Sequence, residues 1–300
     1  MATQYAELNA PFKPEKELSG TLCKCGNKTY DVKYYYLWNI IAACLHGVNA
    51  LLMLIFYYGN DKHDKFYNVT TSYGNWTKID NEWVIVSREA TMISNLSLNW
   101  SIFTFHILSF VFQLVVLLPC FHYEFMVEKR GQNPMRFVEY SISASIMLIC
   151  IALLTGIRDI VILSSITILN IITQVLGAMN ESNTDKRAVR GSFILAWVSI
   201  LSAYGIITWY YIIALQYNNV SPPSFVHLIL IFQFLLFNSF GFVQLVQIYG
   251  TKWKCCGGIG REAELSYVTL SLGAKTLLGW MIYVNVLISE TDVADVVSSR

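Results

Sequence analysis

Seven long apolar runs constrain the fold of this 300-residue chain more than any other feature. Each run is close to the roughly 20 residues that a helix needs to cross a bilayer. Because lipid cannot satisfy the hydrogen-bonding groups of an open backbone, spanning segments of this kind must be helical. The sequence therefore predicts an all-α membrane protein, a bundle of seven transmembrane helices at 34–58, 98–121, 136–156, 160–180, 193–216, 225–249 and 265–288.

Composition supports a membrane protein and excludes several other classes. Charged residues make up only 14% of the chain, against roughly 25% in a soluble domain. The mean hydropathy is +0.46. A formal net charge of +1 gives no bulk basic character that would favour nucleic acid as a partner.

Lysine and arginine in the short loops predict the orientation in the membrane. Basic residues mark the side of a bilayer that faces the cytoplasm, and the loops after spans two, four and six carry most of them. Arg158 is the only basic residue in the short loops of the other side. We therefore expect a cytoplasmic leader (1–33), a seven-helix bundle (34–288) and an extracellular tail (289–300), in a multi-pass protein of the plasma membrane.

The longest loop, 59–97, predicts a small extracellular β-hairpin. It contains KFYNVTTSYGNWTKID followed by EWVIVS, two β-rich runs with Gly74-Asn75 between or within them. Asn68, Asn75 and Asn95 begin glycosylation sequons in this loop, but Asn27 and Asn180 do so on the predicted inner side, which makes the pattern weak evidence. Cys255-Cys256 beside a span end could be acylated, although two reduced thiols are the simpler interpretation.

Two charged residues inside the spans raise the question of function. Lys275 is the only lysine well inside a predicted span, and Glu139 is the only carboxylate more than a residue or two inside one. A charge at the bilayer centre costs at least about 2.5–3.5 kcal/mol, so such residues are kept mostly as pairs or as working sites. Pairing requires the third span to begin before Arg136, near Asn133-Pro134, where a proline suits a helix start.

Two interpretations of this pair stay open on the residues alone. The first is an ion pair that ties helices together, or a lysine that has lost its proton on burial. The second is covalent, because the amine of a desolvated lysine forms a Schiff base with a carbonyl compound. A lysine in the last span with an acid in the third span to balance its charge describes a retinal-binding photoreceptor.

Two stretches resemble the heliorhodopsins, retinal proteins with seven helices and an inverted membrane orientation. They are RFVEYSISASIM at 136–147 and SLGAKTLLGW at 271–280. The resemblance implies that all-trans-retinal is bound to Lys275 as a protonated Schiff base and that Glu139 is its counterion. It also implies that Arg136 lies beside the counterion on the cytoplasmic side, and that Ser143 and Ser271 reach the Schiff-base region.

The resemblance implies further positions that are less distinctive in sequence. His46 and His106 would lie with water in a polar cavity on the cytoplasmic side and could accept the proton that leaves the Schiff base. Each position also has a structural explanation: aromatic residues pack bundles, glycine permits close helix approach, and a histidine can simply bond a neighbour. The residues expected to line the chromophore pocket are Asn170, Gly177, Trp197, Phe240 and Gln247.

The expected activity is light sensing with a slow photocycle, not catalysis. The absence of a second carboxylate in the predicted spans argues against an efficient proton pump, but a light-activated proton transporter or channel through His46 and His106 remains the alternative. A zinc hydrolase is disfavoured because the histidines are scattered, and a G-protein-coupled receptor would need the opposite orientation. The family implies a homodimer joined through 59–97, and signalling would require an intracellular partner.

Overall fold

The computed structural model describes residues 23–25, 28–30, 34–59, 64–123, 125–217, 222–249 and 259–288. Cys255-Cys256, the tail after Ile288 and most of the leader lie outside these described residues. Each of the seven apolar runs forms a helix. The helices are α1 (Tyr34–Gly59), α2 (Leu98–Val115), α3 (Pro134–Leu154), α4 (Ile160–Ser182), α5 (Lys186–Tyr217), α6 (Ser224–Tyr249) and α7 (Ile259–Ile282), which continues as a π-helical turn over Tyr283–Ile288.

The helices form a closed ring in chain order. Each helix contacts the next one, and α7 returns to contact α1. All seven are long and apolar enough to cross a membrane. Leu51, Val161 and Leu195 are each more than half exposed on the outside of the ring, as expected for side chains that face lipid. The chain is therefore a multi-pass integral membrane protein.

Local signals in the sequence explain where two central helices begin. Ser97 caps α2 by accepting a hydrogen bond from the Trp100 amide at 2.9 Å. Asn133 caps α3 in the same way, and Pro134 occupies the first turn, where its missing N–H costs nothing. The third span therefore begins before Arg136, which is the condition for Glu139 to lie at the depth of Lys275.

Three helix ends differ from the apolar runs by several residues. α2 ends at Val115 instead of 121, because Pro119 interrupts the run and starts a short 3₁₀ turn. In contrast, α5 begins at Lys186 and α7 at Ile259, several residues before their apolar runs. These polar extensions place Glu264 within α7, whereas the sequence predicts that it lies just outside a span.

Between α1 and α2 lies an antiparallel hairpin of two long strands, β3 (Phe66–Ile79) and β4 (Glu82–Ser97). The turn is formed by Asp80 and Asn81, both with positive φ, as a two-residue type I′ turn requires. Gly74 pairs with Ser87 inside the ladder. The chain before α1 contains a second, short antiparallel pair, β1 (Cys23–Cys25) and β2 (Lys28–Tyr30), which the sequence analysis did not predict.

The base of the long hairpin is docked on the start of α4. The Thr70 amide donates to the Arg158 carbonyl at 2.9 Å, and the Ser72 amide donates to the Asp159 carboxylate at 3.3 Å. The Arg158 guanidinium lies 3.9 Å from the centre of the Tyr67 ring. Asp159 also caps α4 through the Val161 and Ile162 amides, so one carboxylate joins the hairpin to the bundle.

Candidate functional site

Lys275 from α7 and Glu139 from α3 form an ion pair in the interior of the bundle. Their side chains are 3% and 6% exposed. Ser109 from α2 joins the pair: its hydroxyl donates to Glu139 Oε1 at 2.5 Å and accepts a hydrogen bond from Lys275 Nζ. Ser271, one turn before Lys275, accepts a second hydrogen bond from Nζ at 3.0 Å. Three helices therefore fix the amine.

The interactions around the Lys275 amine differ in strength. The Glu139 carboxylate neutralises the Lys275 ammonium, whose burial without a charged partner would be very costly. Ser143 is one turn after Glu139, but its hydroxyl reaches Oε1 only at 3.5 Å, at the limit of a hydrogen bond. Ser109 is not among the residues singled out from the sequence. Its position one turn after His106, in a span with few polar residues, is the signal that could have found it.

A largely apolar cavity opens beside Lys275, between α3, α4, α5, α6 and α7. Six of the residues singled out from the sequence line it together with Lys275: Arg136, Ser143, Gly177, Trp197, Phe240 and Ser271. The lining also includes residues that the sequence analysis did not name, among them Phe137, Tyr140, Met147, Gln174, Phe237, Asn238, Gln244 and Tyr267.

Asn170 and Gln247, both expected in the lining, lie behind it instead. Asn170 is fully buried and donates to the Tyr140 carbonyl at 3.2 Å. Gln247 accepts a hydrogen bond from the Tyr267 hydroxyl at 3.2 Å and donates to the Gly131 carbonyl at 2.9 Å. Each therefore supports an aromatic residue that lines the cavity.

Two glycines shape the cavity by letting aromatic rings lie against the helix backbone. A Cβ added at Gly241 of α6 would lie 2.6 Å from the Trp197 ring, and one added at Gly177 of α4 would lie 2.7 Å from the Phe137 ring. Both distances are too short for carbon atoms in contact. Any larger residue would move these rings, so the cavity depends on glycine at both positions.

His46 of α1 and His106 of α2 form a pair, but Arg136 is not part of it. Both histidines are fully buried, and their Nδ1 atoms lie 3.1 Å apart. One ring must therefore donate and the other accept. His106 also lies against Gly279 of α7, where an added Cβ would be 3.1 Å from its Nε2. The pair is thus enclosed by α1, α2 and α7.

Arg136 belongs to a separate cluster of charged side chains, which corrects the expectation that Glu139 is the only carboxylate well inside the spans. Its guanidinium forms ion pairs with Glu181 of α4 and Glu264 of α7, not with Glu139 or the histidines. The two carboxylate side chains are only 3% and 4% exposed. Glu139 is therefore not the only carboxylate buried in the spanning helices. Glu181 and Glu264 could not be expected inside the bundle from hydrophobicity, because both lie just beyond the ends of the apolar runs.

Further polar side chains complete this cluster. Asn133 donates to Glu264 Oε1 at 2.7 Å and Tyr123 donates to the same oxygen at 3.0 Å. Asn39 of α1 in turn donates to the Tyr123 hydroxyl at 2.8 Å. Burial and the negative charge of Glu264 raise the pKa of Tyr123 well above its usual value, so Tyr123 remains a donor. Among the described residues, no three His, Cys, Asp or Glu side chains lie close enough together to hold a metal ion.

Comparisons with known proteins agree on family and fold. The model of the family described as Heliorhodopsin matches residues 36–287. Among solved structures, a thermophilic rhodopsin from Rubrobacter xylanophilus matches with a TM-score of 0.58 at 10% identity, over 83% of this chain and 94% of that one. A cyanorhodopsin from Calothrix matches with a TM-score of 0.55 at 10% identity, over 84% of this chain and 92% of that one.

A third solved structure extends the same comparison. The transmembrane domain and linker of a rhodopsin phosphodiesterase from Salpingoeca rosetta match with a TM-score of 0.56 at 14% identity, over 89% of this chain and 84% of that one. A search among curated proteins returned no match. At such identities the structural likeness shows the seven-helix rhodopsin fold alone.

Proposed function

The chain belongs to the heliorhodopsin family of light-responsive retinal proteins of the membrane, and on this premise we propose that it is a photosensor. All-trans-retinal is bound to Lys275 as a protonated Schiff base, and Glu139 is the counterion. The observation that carries the proposal is the buried pair of Lys275 and Glu139 at the edge of an apolar cavity. A helix-tying ion pair alone would need no such cavity.

The residues around the cavity fit this chromophore. Retinal is a long, planar, apolar molecule with one carbonyl end, and the cavity offers flat aromatic walls with a single amine among them. Because Gly177 and Gly241 have no side chains, the rings of Phe137 and Trp197 can lie against the helix backbone and stay out of the cavity. The hydroxyls of Ser109 and Ser271 accept hydrogen bonds from the Lys275 amine at the polar end of the cavity. The apolar lining excludes water from the rest of the site.

Retinal, once bound, would supply light absorption and a change of shape by isomerisation. The chain's own residues determine what that change acts on. Glu139 balances the positive charge at Lys275, and Ser109 holds both groups by hydrogen bonds. A movement at Nζ therefore disturbs α2, α3 and α7 together. A bundle coupled in this way suits a slow photocycle that signals to an intracellular partner.

An absorption spectrum tests the chromophore. The protein would be expressed with all-trans-retinal, purified in detergent and compared with Lys275→Ala. A visible band is expected in the parent, bleached by hydroxylamine in the light and absent from the variant. Lys186→Ala provides a matched control, because Lys186 lies at the exposed start of α5 and its loss should leave the band unchanged. A folded but colourless parent would refute the proposal.

The counterion is tested separately by titrating the visible band of Glu139→Gln. A lost carboxylate leaves the protonated imine without its balancing charge, so the band should lose its protonated form at a lower pH than in the parent. Ser143→Ala is the control, since its contact with Glu139 is only at 3.5 Å. An unchanged titration in Glu139→Gln would assign the counterion role to another group.

The second candidate is a light-activated proton transporter or channel. It is favoured by the buried contact of His46 and His106, two titratable side chains 3.1 Å apart between α1 and α2. Photocurrents under voltage clamp that disappear in His46→Phe and His106→Phe would support it. Currents that persist in both variants would remove the histidines from any conduction path.

We also infer the surroundings of the protein from its charges and family. The leader faces the cytoplasm, the β3–β4 hairpin faces outward, and the membrane is the plasma membrane.

The hairpin carries exposed Trp76, Trp83 and Ile85 near its tip, which supports its part in a homodimer. Mass measurement in detergent, with Trp76→Ser and Trp83→Ser together, tests this: the variant should become monomeric.

A further inference from the structure

A small cavity separates the Lys275–Glu139 pair from the Arg136 cluster. It lies between α1, α2, α3 and α7, and it is lined by Glu139 and also by Arg136, Asn133 and Glu264. Its volume of about 20 Å³ exceeds the roughly 10–15 Å³ that one water molecule requires. Gln113 of α2 lines it as well, and we call it the Gln113 cavity.

Polar atoms without protein partners surround this space. Gln113 is 6% exposed, and its Oε1 has no hydrogen-bond partner among the described residues. The same holds for the Nε of Arg136. The three hydrogen bonds that Glu139 accepts from the described residues all end on Oε1, which leaves Oε2 available. Residues that line this water-sized space therefore carry one donor and two acceptors that a water could bond, and buried waters typically make about three hydrogen bonds.

The charges on the two sides of the cavity are unequal. The Lys275–Glu139 pair is balanced, whereas in the Arg136 cluster one guanidinium faces the two carboxylates of Glu181 and Glu264. In a low-dielectric interior, uncompensated negative charge attracts a proton. Glu264 is the carboxylate of this cluster that lines the cavity.

We propose that one water held by Gln113 in this cavity relays a proton between Glu139 and Glu264. The water accepts a proton from Glu139 Oε2 and releases one of its own to the Glu264 carboxylate. One O–H bond breaks and one forms at each transfer, and the water is regenerated. The Arg136 cluster thereby becomes neutral overall, and the buried acceptor of the proton is a carboxylate instead of the histidine pair.

The water itself is tested without the chromophore. Water-edited solid-state NMR on the retinal-free full chain, labelled at Glu and Gln side chains, measures transfer of magnetisation from water. We expect strong transfer to Gln113 and to the Glu139 carboxyl, lost from the carboxyl in Gln113→Met. Gln233→Met is the matched control, because Gln233 is another fully buried glutamine that bonds the Ala274 carbonyl away from this cavity. Equal transfer in both variants would refute a water held by Gln113.

The relay is tested in the retinal-bound protein by time-resolved infrared spectroscopy. This part rests on the proposed photosensor, since light must first drive a proton onto Glu139. A protonated-carboxyl signal should appear after the flash and disappear in Glu264→Gln. In Gln113→Met its rise should slow by about tenfold or more, as expected when the positioned proton carrier is lost. Gln233→Met should keep the parental rate.

The outcomes separate the two proposals. A colourless protein whose NMR transfer depends on Gln113 would refute the photosensor and leave the water site standing. A coloured protein whose carboxyl signal survives Glu264→Gln, or whose rise is unaffected by Gln113→Met, would overturn the relay. A water seen by NMR without any effect of Gln113→Met on the rise would identify a purely structural water, which also contradicts the relay.

Discussion

The Lys275 ammonium is buried among three hydrogen-bond acceptors, and only one of them carries charge. Ser109 and Ser271 accept hydrogen bonds, whereas Glu139 also neutralises the amine. A buried charge that loses its partner is far more costly than a lost neutral hydrogen bond. At the residue scale the bundle therefore depends on Glu139 much more than on the hydroxyl groups nearby.

Glu139→Gln should destabilise the retinal-free protein by about 3–5 kcal/mol, because it leaves the buried amine unpaired. The free energy of unfolding can be measured by denaturant titration in mixed micelles. Ser143→Ala, which removes only the 3.5 Å contact, should cost less than about 1 kcal/mol. Equal stabilities of parent and Glu139→Gln would mean that the pair contributes nothing to the fold.

Gly241→Ala should reduce retinal uptake several-fold, because the added Cβ would meet the Trp197 ring at 2.6 Å and push it into the cavity. The visible absorbance per mole of folded protein measures this. Gly205→Ala in α5 is the control, since nothing lies within 4 Å of its added Cβ. That variant should bind retinal normally and gain about 0.5–1 kcal/mol from the removal of a helical glycine. Full uptake by Gly241→Ala would show that the ring can move at no cost to the site.

At the scale of the elements, the positions at which helices begin and end determine which polar residues lie inside the bundle. α7 and α5 extend beyond their apolar runs, and the extension of α7 brings Glu264 to Arg136. The hairpin is a two-stranded ribbon, which is marginal on its own in water. Its attachment through Arg158 and Asp159 at the start of α4 therefore matters for its stability.

Asp159→Ala should loosen the hairpin and weaken the start of α4 together, because one carboxylate serves both. The lost cap should cost about 1 kcal/mol. Hydrogen–deuterium exchange should become faster at the Ser72 amide, which donates to this carboxylate. Asp185→Ala is the matched control, since Asp185 accepts from the Arg187 amide at the start of α5. Unchanged exchange at Ser72 would show that the backbone contacts alone dock the hairpin.

On the scale of the whole molecule, the position of basic residues relative to the helices determines which end faces the cytoplasm. The described chain places Arg187 and Arg190 at one end of the bundle and the hairpin at the other, because each helix reverses the direction of the one before it. Since positive charge is retained on the cytoplasmic side, the two ends should differ in their access to reagents added outside the cell.

Glu82→Cys, next to the hairpin turn, should react with a membrane-impermeant maleimide in intact cells, whereas Asp185→Cys should react only after permeabilisation. Both positions are exposed, so accessibility differs only by the side of the membrane. The parent protein, with its own seven cysteines, gives the background. Labelling of Asp185→Cys alone in intact cells would reverse the orientation.

Much of the architecture could be predicted from the sequence because few backbone structures can cross a membrane. The seven helices are confirmed, since apolar runs of spanning length can only be helices in lipid. The contact of Lys275 with Glu139 could be expected because the cost of burying charge brings opposite charges together. The third helix begins at Asn133-Pro134, as the proline indicated.

The tertiary structure alone decided how polar groups are distributed around that pair. Ser109, the Arg136 cluster and the Gln113 cavity each combine residues from helices far apart in sequence. Whether such residues meet depends on the rotation of each helix about its axis and on how far it extends beyond its apolar run. Hydrophobicity determines neither the rotation of a helix nor its length. An apolar helix surface is stable in lipid at any rotation, and the helix ends are determined by caps and ion pairs.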